Sequence, residues 1–250
     1  MTDLAQPARP ALRRRHGART AIDSPLLSVV MPVFNERHTI DEIIGRVLAV
    51  PMRIELIVVD DCSTDGTRDM LVALQQQYNF RLLLQERNQG KGSALRRGFQ
   101  AVTGDIVVVQ DADLEYSPEE FPELTDFIVQ GRADVVYGSR FLGRHRVFLF
   151  THYLGNVALT FLTNILYNTM LTDMETCYKA MRREVLQGLD LQSNGFGIEP
   201  EMTAKIFKRG YRVYEVPITY DGRSYEEGKK IGWKDGVVAL WVLLRYRFMD

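Results

Sequence analysis

The chain has 250 residues, 46% of them hydrophobic and 25% charged, with a formal net charge of −1. This suits one folded α/β domain with short attachments and excludes a dedicated nucleic-acid binder, which carries a basic surplus. The two cysteines, Cys62 and Cys177, lack any metal-ligand spacing and are expected to be reduced, as in the cytoplasm.

Residues 1–25 are rich in Ala, Pro and Arg and offer little to bury, so a disordered basic arm is expected, able to touch an anionic membrane. It has no apolar stretch of the secretory-signal kind. Leu27 to Phe34 reads as a first strand, followed by a helix from about Thr39 to Val50 in which Thr39 and Glu42 have the spacing of a capping box. Strand Ile54 to Val59 ends on Asp60-Asp61, and a turn-rich segment leads to a helix reaching about Tyr78. Strand Phe80 to Leu84 precedes Asn88-Gln89-Gly90-Lys91-Gly92, which opens a helix to about Val102; glycines flanking a lysine there permit close approach to a phosphate.

Ile106 to Val109 reads as a buried strand running into Asp111, Asp113 and Glu115. In extended backbone these alternate positions share a face. Three carboxylates pointing together call for a cation, and Mg²⁺ or Mn²⁺ suits such donors, typically with substrate phosphates completing the shell. Strand–helix alternation this far implies a mostly parallel sheet. The polar groups just beyond its strands (Asn35 and Glu36, Asp60 and Asp61, Asn88 and Lys91, Asp111 and Asp113) then gather at one edge, where open α/β sheets bind ligands.

Beyond the acids, a helix begins at Pro118 and runs to about Gln130, and the strand from Asp134 ends on Arg140. Residues 141–156 mix Arg144 and Arg146 with Phe141, Phe148, Leu149 and Phe150, a loop suited to a phosphate carried on something apolar. Val157 to Leu171 reads as a core or interface helix, too short and polar to span a bilayer. A strand at Ala180-Met181, a helix from Arg183, a helix ending near Gly210 and a strand from Tyr211 to Val216 follow. A loop with Arg223, Lys229 and Lys230 then leads to a terminal helix from Trp233 to Phe248. That helix holds the longest apolar run, Val237 to Leu244, far short of a membrane span.

Seven stretches in order, S-V-V-M-P-V-F-N-E (28–36), V-V-D-D-C-S-T-D-G-T (58–67), N-Q-G-K-G (88–92), D-A-D-L-E (111–115), G-S-R (138–140), D-M-E-T-C-Y-K (173–179) and R-S-Y-E-E-G-K-K (223–230), resemble family 2 glycosyltransferases of the GT-A fold. Within that family they are similar to the polyprenyl-phosphate (dolichol-phosphate) mannose synthase type. The resemblance implies a transferase domain over residues 26–230, with 231–250 as an amphipathic interface helix. It implies an α/β fold with a mostly parallel sheet flanked by helices. It assigns Pro32, Asn35, Glu36, Asp61, Gly90, Lys91 and Asp111 to the nucleotide sugar, and Asp111, Asp113 and Glu115 to Mg²⁺ or Mn²⁺. Arg140 and Arg223, with Lys229, would hold the acceptor phosphate, and Glu201 falls at the family's glutamate after the Gly-Phe pair; Asp113, Arg140, Arg223 and Glu201 are the catalytic candidates. Where relatives carry a second acceptor arginine this chain has His152, with Arg144 or Arg146 as substitutes.

The reaction implied is inverting transfer of a hexose, GDP-mannose being the favoured donor, to a polyprenyl phosphate at the cytoplasmic membrane face. Attachment there would be peripheral or through a membrane partner protein. An anionic acceptor needs placement more than deprotonation, in keeping with the lack of an obvious His or Cys nucleophile. The rival is a transferase using UDP-glucose or another UDP-sugar, including one with a hydroxyl acceptor, which would need a base such as Glu199 or Glu201.

Overall fold

A computed structural model describes residues 19–147, 149–223 and 232–249. Lys229, Lys230 and the arginines at 9 and 13–15 lie outside them. Seven strands, β1 (Leu26–Val33), β2 (Arg53–Asp60), β3 (Arg81–Leu84), β4 (Ile106–Val109), β5 (Val135–Ser139), β6 (Lys179–Arg182) and β7 (Val213–Pro217), form one sheet in the order β3-β2-β1-β4-β6-β5-β7. β1 lies at the centre of the first half, pairing in parallel with β2 (Leu27 with Ile54) and β4 (Leu27 with Ile106). β4, β5 and β6 are buried along their whole length, as the near-continuous apolar runs of β4 and β5 require.

β6 is the exception to parallel pairing. It runs antiparallel to both neighbours, with Val107 opposite Met181 and Val136 opposite Ala180. Its first residues therefore lie beside the last residues of β4 and β5. The segment leading into β6, from Asp173 to Tyr178, reaches the same sheet edge as the loops leaving β1, β2, β4 and β5.

Helices α1 (Ile40–Ala49), α2 (Thr67–Leu74), α3 (Lys91–Phe99), α4 (Phe121–Val129), α5 (Phe150–Tyr167), α6 (Arg183–Gly188), α7 (Ile198–Arg209) and α8 (Trp233–Phe248) complete the chain. α1 buries Ile40, Ile43, Ile44 and Val47, the stripe its periodicity predicts. The expected capping box is not formed: Thr39 caps no amide, and its hydroxyl donates instead to the carbonyl of Ala112 at 2.7 Å. α5 begins at Phe150, within the stretch read as loop, because the apolar cluster there starts the helix. Residues 19–25, expected in the arm, are instead docked: Arg19 pairs with Asp134 and Glu184, and the Ile22 amide bonds to the Val129 carbonyl at 2.9 Å.

α5 reverses the usual polarity of a surface helix, and α8, which packs Ala239, Val242, Leu243 and Tyr246 inward, also exposes apolar side chains. α5 buries Thr160, Thr163 and Tyr167 and exposes Phe150, Leu154, Phe161 and Ile165. The inward hydroxyls are used: Met174 N donates to Thr160 Oγ1 at 3.1 Å, and Tyr167 donates to the Leu243 carbonyl of α8 at 2.7 Å. α8 in turn exposes Val237, Trp241, Leu244 and Phe248 beside it. Among the described residues no helix is long and apolar enough to cross a membrane.

Candidate active site

Loops from both halves of the sheet surround a cavity of about 1010 Å³ at the carboxyl ends of β1, β2, β4 and β5. Pro32, Glu36, Asp61, Gly90, Lys91, Asp111, Asp113, Glu115, Arg140 and Arg223, of the residues expected from sequence, line it together. Asn35 does not. With φ of 56° it turns the chain after β1, and its Oδ1 accepts from the Thr64 amide at 2.8 Å, so it braces the second loop. Asp61 is a brace that also faces the cavity: Oδ1 accepts from Gln85 Nε2 (2.6 Å) and the Gln89 amide (2.8 Å), and Oδ2 from the Gly90 amide (2.7 Å). The glycines of that loop answer to protein rather than to phosphate. Gly90 has φ of 92°, and a Cβ there would lie 2.6 Å from the Asn194 carbonyl; at Gly92 it would lie 2.4 Å from that of Ser193.

The acids after β4 converge by a route that extended backbone does not provide. The segment turns, with Leu114 at φ of 63°, and the Glu115 amide folds back onto Asp113 Oδ1. Lys91 Nζ holds Asp111 at 2.8 Å. Arg223 reaches three carboxylates: Nη2 to Asp113 (2.9 Å), Nε to Glu115 (3.3 Å) and Nη1 to Glu36 (3.3 Å). Glu115 also accepts from the Tyr220 hydroxyl at 2.5 Å. Burial, with the charges of Asp111 and Glu115, pushes the Asp113 carboxyl up to about 7, despite Arg223.

This environment fits a divalent cation, but not the three-acid cage the sequence suggested. Among the described residues no three His, Cys, Asp or Glu side chains form such a cage, and Glu115 is engaged by Tyr220 and Arg223. Asp111 and Asp113 are themselves paired with Lys91 and Arg223; as the two that would hold the ion, they are a number suited to Mg²⁺ when substrate phosphates supply other ligands.

On the far wall, Arg140 is locked by Asp173, whose carboxylate accepts from Nε and Nη2, each at 2.7 Å. Its Nη1 takes no part in that pair. His152, on the first turn of α5, lines the cavity; Arg144 and Arg146 are exposed outside its lining, so histidine is the one of the three brought to the cavity. Glu201 does not line the cavity. Its carboxylate accepts from the amides of Gln192 (2.9 Å) and Ser193 (2.7 Å) and from Lys205 (2.6 Å). Burial would raise this carboxyl, but those bonds outweigh it and hold it below the ordinary range. Glu201 is thus a strut for the loop that covers Gly90 and Gly92, and Glu199 faces the cavity instead. Glu175 also lines it, pushed up to about 7 chiefly by burial. The sequence offered one cue to Glu175: an acid two residues after Asp173 in a segment otherwise apolar or hydroxylic.

The strand order, the single reversed strand and carboxylates at the end of the central strand define a GT-A fold. In support, the structure matches glucosyl-3-phosphoglycerate synthase from Mycobacterium tuberculosis with a TM-score of 0.70 and 25% identity, covering 93% of this chain and 80% of that one; that crystal contained Mn²⁺, uridine diphosphate and phosphoglyceric acid. A crystal of the same enzyme with Mg²⁺ and uridine diphosphate matches at 0.69 and 25% identity, covering 93% and 80%. The chain belongs to glycosyl transferase family 2, whose model matches residues 28–189. It is 32% identical over 218 residues to a dolichol-phosphate mannosyltransferase of Pyrococcus furiosus, covering 82% of this chain and 59% of that protein. It is 31% identical over 219 residues to a polyprenol monophosphomannose synthase of Mycolicibacterium smegmatis, covering 82% and 80%. A low-salt glycan biosynthesis hexosyltransferase of Haloferax volcanii is 30% identical over 220 residues, covering 84% and 52%. The chain thus spans little more than half the length of two of these relatives.

Proposed function

We propose that this protein transfers a hexose from a nucleotide-diphosphate sugar, with GDP-mannose the favoured donor, to a polyprenyl phosphate. The observation that carries the reading is the make-up of the cavity. One wall is the carboxylate end of β4; the other carries Arg140 and is closed by α5 and α8, the same two helices that expose apolar side chains outward. A charged phosphate could enter while its hydrocarbon tail stays against the apolar helices, which supports peripheral membrane attachment at the cytoplasmic face.

In this reading Pro32, Glu36, Asp61, Gly90 and Lys91 hold the nucleotide end of the donor. Asp111 and Asp113 would hold Mg²⁺ or Mn²⁺, whose Lewis acidity offsets the charge on the leaving diphosphate. Arg140, fixed by Asp173, offers Nη1 to the acceptor phosphate, and Arg223 assists; Lys229, assigned to it by the resemblance alone, lies outside the described residues. The acceptor oxygen already bears charge, so the residues act by bringing two anions together in line.

The test is incubation of purified protein with GDP-mannose, UDP-glucose or UDP-N-acetylglucosamine, together with polyprenyl phosphate and Mn²⁺. Glycolipid from GDP-mannose is expected, and no glycolipid from any donor would overturn the reading. A UDP-sugar transferase with a hydroxyl acceptor is the second reading, favoured by the uridine diphosphate in the matching crystals. Glu199, rather than Glu201, would be its base, and transfer to soluble hydroxyl acceptors would identify it.

A further inference from the structure

Transfer to a phosphate acceptor leaves two acids of the cavity floor, Glu175 and Glu199, without a task. Asp111, Lys91 and Glu199 form a row of alternating charge there, backed by Lys179 from outside the lining. Lys91 Nζ stands 2.8 Å from Asp111 Oδ1 and 3.7 Å from Glu199 Oε1, and Lys179 donates to Glu199 Oε2 at 2.6 Å. Glu175 extends the row, within electrostatic reach of Lys179, Glu199 and Arg140. Both glutamates line the cavity. In each, Oε1 is shielded from bulk water and accepts no hydrogen bond. Buried acceptors without donors are rare and costly in folded proteins. Here two occur on one floor, between the diphosphate carboxylates and the acceptor arginine.

The transferred group must lie between the leaving and the attacking oxygen, and therefore over this row. A hexose brings several hydroxyl donors to that place. We propose that Glu175 and Glu199 read the donor sugar, their carboxyl groups accepting hydrogen bonds from hydroxyl groups of the hexose. The inference rests on the nucleotide-sugar reading of the site and adds to it the residues that select the sugar. Carboxyl groups are suited to this task because their oxygens accept from hydroxyls.

Isothermal titration of the full chain in MnCl₂ tests this with GDP, GDP-mannose, UDP, UDP-glucose and the monodeoxy analogues of whichever sugar nucleotide binds. E175A should bind the free nucleoside diphosphate as wild type does and lose about ten-fold in affinity for the nucleotide sugar. The analogue lacking the read hydroxyl should lose about ten-fold on wild type and nothing further on E175A. The same comparison with E199Q tests the second residue. Should that variant fail to fold, through its pairing with Lys179, the deoxy series on wild type still decides. Monodeoxy donors that all bind as tightly as the parent, or an E175A variant indistinguishable from wild type, would overturn the sugar assignment and leave the transferase reading standing. Failure of every nucleotide sugar to bind wild type would overturn both.

Discussion

Arginine meets buried carboxylate at both ends of the sheet, with opposite results. At the amino end of β5, Asp134 is fully buried and receives two guanidinium groups: Arg212 through Nε at 3.1 Å and Arg19 through Nε at 3.2 Å, with the Arg212 amide adding a bond at 2.9 Å. Burial would raise its carboxyl, but the Arg212 bonds outweigh it and hold the group below its ordinary range. At the carboxyl edge the ratio inverts: one arginine, Arg223, serves Asp113, Glu115 and Glu36, and Asp113 is pushed up to about 7. Identical side-chain types thus make a finished clamp in one place and an acid-rich pocket suited to further positive charge in the other. The balance of charge, not the presence of ion pairs, separates structure from site.

Substitutions can break this contrast. The largest effect is expected from Asp113→Asn, which should lower glycosyl transfer by about 10³-fold while thermal melting shows the fold intact. Unchanged turnover would remove Asp113 from the chemistry. Asp134→Asn should do the reverse, costing about 2–3 kcal/mol in denaturant unfolding and leaving transfer per folded molecule unaltered. Because the folded Asp134 carboxyl titrates low, its contribution is present above the ordinary Asp range and is lost as pH falls through the lowered value. The variant should therefore show a flatter acid limb in a stability–pH series.

Glu175→Gln tests the raised side of the contrast. A carboxyl at about 7 in the folded state favours the native chain at low pH and progressively loses that advantage as pH rises from its ordinary value to 7. The amide should stabilise the protein by about 2 kcal/mol at pH 8, with the gain fading toward pH 4. An equal gain at both pH values would place its cause elsewhere. The smallest effect belongs to Thr39→Val, which removes the hydroxyl bond to Ala112 and should cost about 1 kcal/mol in unfolding.

Much of the architecture is legible in the chain because strands here are short apolar runs and each is followed by a polar loop. Ile106 to Val109 announces a buried strand, and the acids behind it announce a site. What escapes local reading depends on contacts between distant positions. Thr39 has the spacing of a cap, but its hydroxyl finds a carbonyl 73 residues away. The alternate acids assume extended backbone that Leu114 breaks. Glu199, not Glu201, faces the cavity, which the sequence does not show because α7 is buried on all sides from Ile198 to Phe207, so no apolar stripe marks which face meets it. Gly90 and Gly92 signal close approach correctly, yet only the packed loop 193–195 shows that the approaching group is backbone.

The reversed strand β6 also bears on how the chain reaches this shape. It joins residue 106 to residue 182, and the arginine that gathers the acids lies 187 positions beyond Glu36. Contacts of such separation delay folding, since loop-closure entropy is lost before they form. The half of the sheet built on β1, β2 and β3 can condense early during synthesis on the ribosome, whereas the pocket closes only once residue 223 has emerged. Refolding experiments should accordingly find secondary structure recovering well ahead of ligand binding.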